Sequence, residues 1–174
     1  MSDLLNFSGR SLVLSTGESV LSDDLFRARP LVLVFLRHLG CVFCREHVHD
    51  VNRRADWNVC FVSMANEKDA ENFRQRTQSP HRFACDPGAR LYEEFGVKKG
   101  GPNQLYGPQT WSRAIEAVKK GNRQGRFIGD FRRLPGDFVI AQNGDAVYQY
   151  RGKSSADNAP LKEIDAALTR LSSE

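Results

Sequence analysis

Phe35-Leu-Arg-His-Leu-Gly-Cys-Val-Phe-Cys-Arg-Glu-His47 is the stretch that decides the fold. An apolar run, Leu31-Val-Leu-Val-Phe-Leu36, ends inside it, and Gly40 breaks the run off. Cys41-x-x-Cys44 follows, and beyond it Val48, Val51 and Ala55 recur at helical spacing among charges, which predicts a helix from Cys44 to Asp56. The apolar run is rich in β-branched residues and shows no polar alternation, as strands buried on both faces do. Strand, turn and helix thus succeed one another. In open α/β sheets the C-terminal ends of parallel strands form the crevice where ligands bind.

The flanking sequence continues the alternation. Ser11 to Leu14 and Ser19 to Leu21, parted by Thr16-Gly17, read as a short hairpin. Val59-Cys-Phe-Val-Ser63 is a second buried strand. Glu67 to Gln78 is a polar helix stopped at Ser79-Pro80. Arg82 to Cys85 is extended, and Asp86-Pro87 resembles an N-cap with a first-turn proline, opening a helix that buries Leu91, Tyr92 and Phe95 and ends at Gly96. Lys98 to Arg133 is glycine-rich and irregular apart from a helix near Gln109 to Lys119. Phe138 to Ala141 and Ala146 to Tyr150 flank Gln142-Asn-Gly144 as a hairpin, and Pro160 to Leu171 is an amphipathic helix. Such an order makes an α/β protein with a central mixed β-sheet flanked by helices on both faces, in one domain over residues 1–174.

Composition narrows the function classes. The 174 residues are 40% apolar and 26% charged, too apolar for disorder, and no apolar run is long enough to span a bilayer. The N-terminus shows no basic patch followed by an apolar stretch, so a cytoplasmic location is expected. A net charge of +4 is too small for a dedicated nucleic-acid binder, and neither nucleic acid nor membrane is expected as a partner. The basic surplus gathers in Arg113, Lys119, Lys120, Arg123, Arg126, Arg132 and Arg133, read as a solvated face, or alternatively as a rim for anionic substrates or a protein partner. Trp111 and Phe127 flank this stretch and read as core aromatics, or alternatively as a substrate wall.

Four cysteines do not make a disulfide scaffold, and Cys41-x-x-Cys44 lacks the second pair or distal histidines of a zinc site. Gly121-Asn-Arg-Gln-Gly-Arg126 matches no phosphate-loop spacing. Neither metal nor organic cofactor is therefore expected, and the pair reads as redox chemistry. At a helix N-terminus, free N–H groups and the macrodipole favour a thiolate, and Arg37, His38 and Arg45 add positive charge. Cys41, just ahead of the helix, is expected to be the more exposed sulfur and the nucleophile, with Cys44 turning back to close a disulfide. Cys60, inside a strand, reads as inert packing. Cys85, at a strand end, reads as packing or as a reserve thiol near the same rim. His38 is a candidate for proton transfer; His47, His49 and His81 are assigned no role.

Phe35-Leu-Arg37, Gly40-Cys-x-x-Cys-Arg-Glu46, Cys85-Asp-Pro-Gly88, Leu91-Tyr92 with Phe95-Gly96, and Leu134-Pro-Gly-Asp-Phe-Val-Ile140 together resemble the thioredoxin-like superfamily. Within it they look most like the peroxiredoxin-like branch of the alkyl hydroperoxide reductase/thiol-specific antioxidant (AhpC/TSA) family, which includes relatives of selenoproteins L and U. The resemblance implies a thioredoxin-like fold and a thiol-dependent oxidoreductase acting on a peroxide or a disulfide. Recycling would come from thioredoxin, glutaredoxin or glutathione, and the assembly would be a monomer or homodimer. Arg37 reads as a holder of an anionic or peroxidic oxygen, or alternatively as a side chain snorkelling to solvent. The resemblance also implies that Pro135 is a cis-proline opposite the cysteines whose exposed backbone pairs with substrate; the residues alone equally allow a plain trans turn introducing a strand.

The usual peroxiredoxin pattern, Pro-x-x-x-Thr/Ser-x-x-Cys, falls on Arg37, Cys41 and Cys44, so its proline and hydroxyl are missing. In that register Cys44 attacks first; in thioredoxin-like geometry Cys41 does. A redox-sensing or docking module that turns over nothing is the alternative function.

Overall fold

The computed structural model describes residues 5–121, 125–126 and 128–173. Among them seven strands form one sheet: β1 (Ser11–Leu14), β2 (Ser19–Leu21), β3 (Leu31–Phe35), β4 (Val59–Ser63), β5 (Arg82–Cys85), β6 (Gly136–Ile140) and β7 (Ala146–Arg151). Their order is β2-β1-β5-β4-β3-β6-β7. The central strands β3, β4 and β5 run parallel, with Val34 beside Phe61 and Phe61 beside Phe83. β1 joins β5 and β6 joins β3 antiparallel, Val34 lying opposite Asp137. The mixed sheet expected from the element order is present.

Every residue of β3, β4 and β6 is buried, as their unbroken apolar text requires. Alternation then sorts side chains onto two cores. Val32, Val34, Phe61 and Val139 face one layer, built from α2 (Val42–Asn52), α3 (Glu67–Arg76), α6 (Pro108–Lys119) and α7 (Leu161–Ser172). Leu33, Phe35, Val62 and Phe138 face the other, which holds α1 (Asp23–Phe26) and α4 (Arg90–Glu94). There Phe35, Tyr92, Phe95 and Phe138 meet edge-on or tilted, with ring centroids 4.9–5.5 Å apart.

Several boundaries differ from the sequence reading, each for a local reason. α2 begins at Val42, because Cys41 has extended dihedrals and is itself the N-cap residue. It ends at Asn52, since the chain must turn through exposed Ala55 to set Asn58 O against Val32 N at 2.8 Å. α4 starts three residues after Pro87, yet Asp86 still caps it, accepting from Arg90 N at 3.0 Å and Leu91 N at 2.9 Å. Its C-terminal Gly96 has φ +64°, the left-handed value expected of a helix-ending glycine. The irregular stretch contains one more helix than expected, α5 (Pro102–Tyr106), which starts at a proline and is too short to show periodicity.

Candidate active site

β3 delivers the chain to Arg37, and the turn through Gly40 sets Cys41 at the mouth of α2. Cys44 then falls in the first helical turn, so the two sulfurs share one end of the helix. Arg37 binds both. Its backbone N–H donates to Cys44 Sγ at 3.3 Å, and Nη1 donates to Cys41 Sγ at 3.1 Å. The rest of the guanidinium is held by two carbonyls, with Nε donating to Arg133 O and Nη2 to Phe131 O, both at 2.7 Å. Arg37 is only 6% exposed, so this charge is aimed rather than mobile. Arg133 is anchored in turn, donating through Nη1 to Val97 O at 2.8 Å and pairing with Glu93.

The two thiols are driven apart in acidity. A hydrogen bond from the Cys44 thiol, strong enough to outweigh burial, joins the Arg37 charge and the N–H groups of Cys44 and Phe43 to pull the Cys41 pKa down to about 6. Burial, then the hydrogen bond and charge of Cys41, push Cys44 well above the ordinary thiol value. A nucleophilic thiolate beside a protonated partner is the arrangement that dithiol exchange requires.

Exposure does not distinguish the sulfurs as the sequence led us to expect, for both residues are 2% exposed. The turn is covered by a strap from the long irregular stretch: Gly125 N donates to Gly40 O at 2.9 Å and Leu39 N to Ile128 O at 3.2 Å. A Cβ at Gly40 would run into the carbonyl oxygens of Arg126 and Gly125, so only glycine permits this approach. What separates the sulfurs is access. Cys41 lines a cavity of about 280 Å³ walled by Phe43, Leu105, Tyr106, Trp111 and Phe131, whereas Cys44 does not reach it.

Arg37 and His38 supply polar groups on that lining. Burial, with the nearby Arg37 charge, pulls His38 down to about 4, so it is a neutral imidazole at physiological pH. Trp111, expected chiefly in the core, is 67% exposed on the cavity rim. Phe127 and Arg123 lie outside the described residues.

Pro135 departs from expectation. The Leu134–Pro135 peptide is trans, the ordinary isomer, and Pro135 is buried away from the Cys41 cavity. Its carbonyl accepts from Gly152 N at 2.9 Å, and Pro135 lines a separate cavity with Gly96, Lys98 and Arg151. The segment before β6 serves the site through the Phe131 and Arg133 carbonyls on Arg37 instead.

The remaining cysteines are remote. Cys60 is buried in β4, its thiol pushed to about 12 by burial. Cys85, raised to about 11 for the same reason, lines a different cavity beside Arg10 and Asp86.

One interaction has no counterpart in the sequence reading. His47 Nε2 meets Asp137 Oδ1 at 2.6 Å, both groups buried. The available signals were an i, i+3 spacing from Cys44 and an acid inside an apolar strand, and neither names the other residue. His49 and His81 stand apart from the cavity. Among the described residues no cluster of three or more His, Cys, Asp or Glu side chains is placed to hold a metal.

Comparison with known proteins agrees with this architecture. A model of the AhpC/TSA antioxidant enzyme family matches residues 49–154, beginning just past Cys44. The chain is 28% identical to a prostamide/prostaglandin F synthase of Danio rerio, covering 88% of this chain and 81% of the relative. It is 29% identical to peroxiredoxin-like 2C of Bos taurus, covering 86% and 72%. Among solved structures, peroxiredoxin Q of Xanthomonas campestris superposes with a TM-score of 0.64 at 19% identity, covering 99% of each chain. The peroxiredoxin 6 of Arenicola marina gives 0.70 at 10% identity, covering 99% of this chain and 74% of its own. The fold is thioredoxin-like.

Proposed function

The chain belongs to the AhpC/TSA antioxidant enzyme family, and from that premise we propose that it is a thiol-dependent oxidoreductase reducing peroxides through Cys41 and Cys44. The observation that carries this reading is the Cys41 sulfur on the wall of an apolar cavity with Arg37 Nη1 at 3.1 Å. The Cys41 thiolate attacks one oxygen of the O–O bond. That bond breaks, the departing alkoxide takes a proton to leave as an alcohol, and Cys41 becomes a sulfenic acid. A guanidinium beside the sulfur stabilises the charge that develops on oxygen. The Cys44 thiolate then displaces hydroxide from the sulfenic sulfur; the hydroxide, with the proton Cys44 gave up, leaves as water, and a Cys41–Cys44 disulfide remains. Two electrons from an external thiol, of the thioredoxin, glutaredoxin or glutathione type, restore the pair.

The lining favours a peroxide with an apolar body over a peptide disulfide. Aromatic and aliphatic walls enclose the sulfur, and the Pro135 carbonyl that would pair with an extended chain is engaged. The name of the Danio rerio relative, a prostamide/prostaglandin F synthase, accords with an apolar substrate. NADPH-coupled turnover, with thioredoxin or glutathione systems as donor and hydrogen peroxide, cumene hydroperoxide and a fatty-acid hydroperoxide as oxidants, tests it. Turnover fastest with the bulky peroxides is expected. Oxidation without recycling by any donor would instead favour the redox-sensing module.

A further inference from the structure

α6 is packed inside out. Two adjacent stripes of the helix are free of charge, Thr110, Ala114 and Ala117 on one and Trp111, Ile115 and Val118 on the other. A helix that only closes a core turns its larger apolar side chains inward. Here the small stripe is turned in: Thr110 and Ala117 are buried and Ala114 packs against the core. The large stripe faces outward, with Trp111 67%, Ile115 55% and Val118 54% exposed. Tyr106 at 60% and Phe131 at 42% extend the apolar surface around the same cavity rim.

The stretch from α6 to β6 carries a basic surplus. From Arg113 to Arg133 the sequence has seven basic residues against Glu116 and Asp130, a net +5 in a chain whose total is +4. Lys120 is paired with Glu46, Arg132 with Asp130 and Arg133 with Glu93. Lys119 and Arg126 are exposed and make no ion pair among the described residues; neither does the exposed Glu116, while Arg113 lies on the opposite side of α6 beside Asp157. A short helix with tryptophan and aliphatic residues on one face and uncompensated lysine and arginine nearby suits the interface of an anionic bilayer.

We propose that the Trp111–Ile115–Val118 face of α6 seats this protein on anionic lipid surfaces, with the mouth of the Cys41 cavity toward the acyl chains. No helix among the described residues is long and apolar enough to cross a membrane, and a peripheral seat needs none. It departs from the expectation of no membrane partner, which rested on the lack of a spanning segment. A rigid protein docked on these aromatics would close the cavity, whereas a fluid acyl-chain layer leaves it open to lipid-borne peroxides. That last step rests on the proposed peroxide reduction. Binding is therefore measured without turnover, so that either reading can fail alone.

The chain contains its own reporter. Of its two tryptophans, Trp57 is 4% exposed and donates to Asp165 Oδ1 at 3.0 Å, so a change in emission on binding reports Trp111. With vesicles of phosphatidylcholine and phosphatidylglycerol, the proposal expects a blue shift, quenching by brominated acyl chains and co-flotation. All three should weaken on pure phosphatidylcholine and at high salt. An Ile115→Ser/Val118→Ser variant keeps the reporter and should lose at least about tenfold in partitioning. Wild-type protein that neither shifts, is quenched nor floats with the mixed vesicles overturns the proposal. So does sedimentation showing a dimer that the double variant dissolves and vesicles leave intact, because a second copy would then cover the face.

Discussion

His47 Nε2 and Asp137 Oδ1 lie 2.6 Å apart in the core, one helical turn along α2 from Cys44. The contact ties the cysteine-bearing helix to β6, and Asp137 Oδ2 also accepts from Ala159 N at 3.2 Å ahead of α7. Burial, the largest single influence on His47, favours the neutral ring. The Asp137 charge and hydrogen bond, with Asp50 and Glu46, outweigh it and raise the pKa.

A raised folded-state pKa fixes the sign of the pH dependence. The stabilisation is complete below the unfolded histidine value of about 6.5 and is lost as pH rises through the higher folded value. The melting-temperature gap between wild type and His47→Gln should therefore be widest near pH 6 and narrow in alkali. Asp137→Asn should abolish that pH dependence. Removing the imidazole altogether, as in His47→Ala, leaves a buried carboxylate unpaired and should cost about 3–5 kcal/mol in urea unfolding.

Thiolate formation at Cys41 is the second expectation. Alkylation by iodoacetamide, followed site by site with mass spectrometry, should rise with an inflection near pH 6 at Cys41, and not at Cys60 or Cys85. Arg37→Met should move the inflection upward and slow peroxide reduction about 100-fold or more. Arg37→Lys should rescue little, since an ammonium cannot reproduce the planar fork that spans two carbonyls and a sulfur.

The order of attack follows from access to the cavity. Cys41→Ser should abolish turnover, and Cys44→Ser should accumulate a sulfenic acid or mixed disulfide on Cys41. Intact-mass and peptide analysis of the two variants after one equivalent of peroxide separates the possibilities. An adduct on Cys44 in the Cys41→Ser protein, and none on Cys41 in its counterpart, would restore the ordinary peroxiredoxin register.

Gly40→Ala tests the strap. The added methyl meets backbone carbonyls of Gly125 and Arg126, which cannot rotate aside as a flexible side chain would. Thermal unfolding should show a loss of about 1–3 kcal/mol, typical of overpacking. Alkylation of Cys41 should become faster as the cover lifts.

The buried strands, the mixed sheet and the cysteine pair at a strand-to-helix turn were legible in the sequence because each is a local pattern. β3 and β4 declare their burial by unbroken apolar text, and the helix start read at Cys44 lies within two residues of Val42, where α2 begins. The neighbours of Arg37 were not legible. Phe131 and Arg133 lie 94 and 96 residues along the chain, and Asp137 lies 90 from His47. Periodicity and capping act over a turn or two of helix, whereas these contacts exist because β6 pairs antiparallel with β3 and carries its leading segment across the cysteine turn. α6 shows the same division. Its two uncharged stripes are equally helical in sequence, and only packing against α2 determined that Thr110 and Ala117 turn inward while Trp111, Ile115 and Val118 face out.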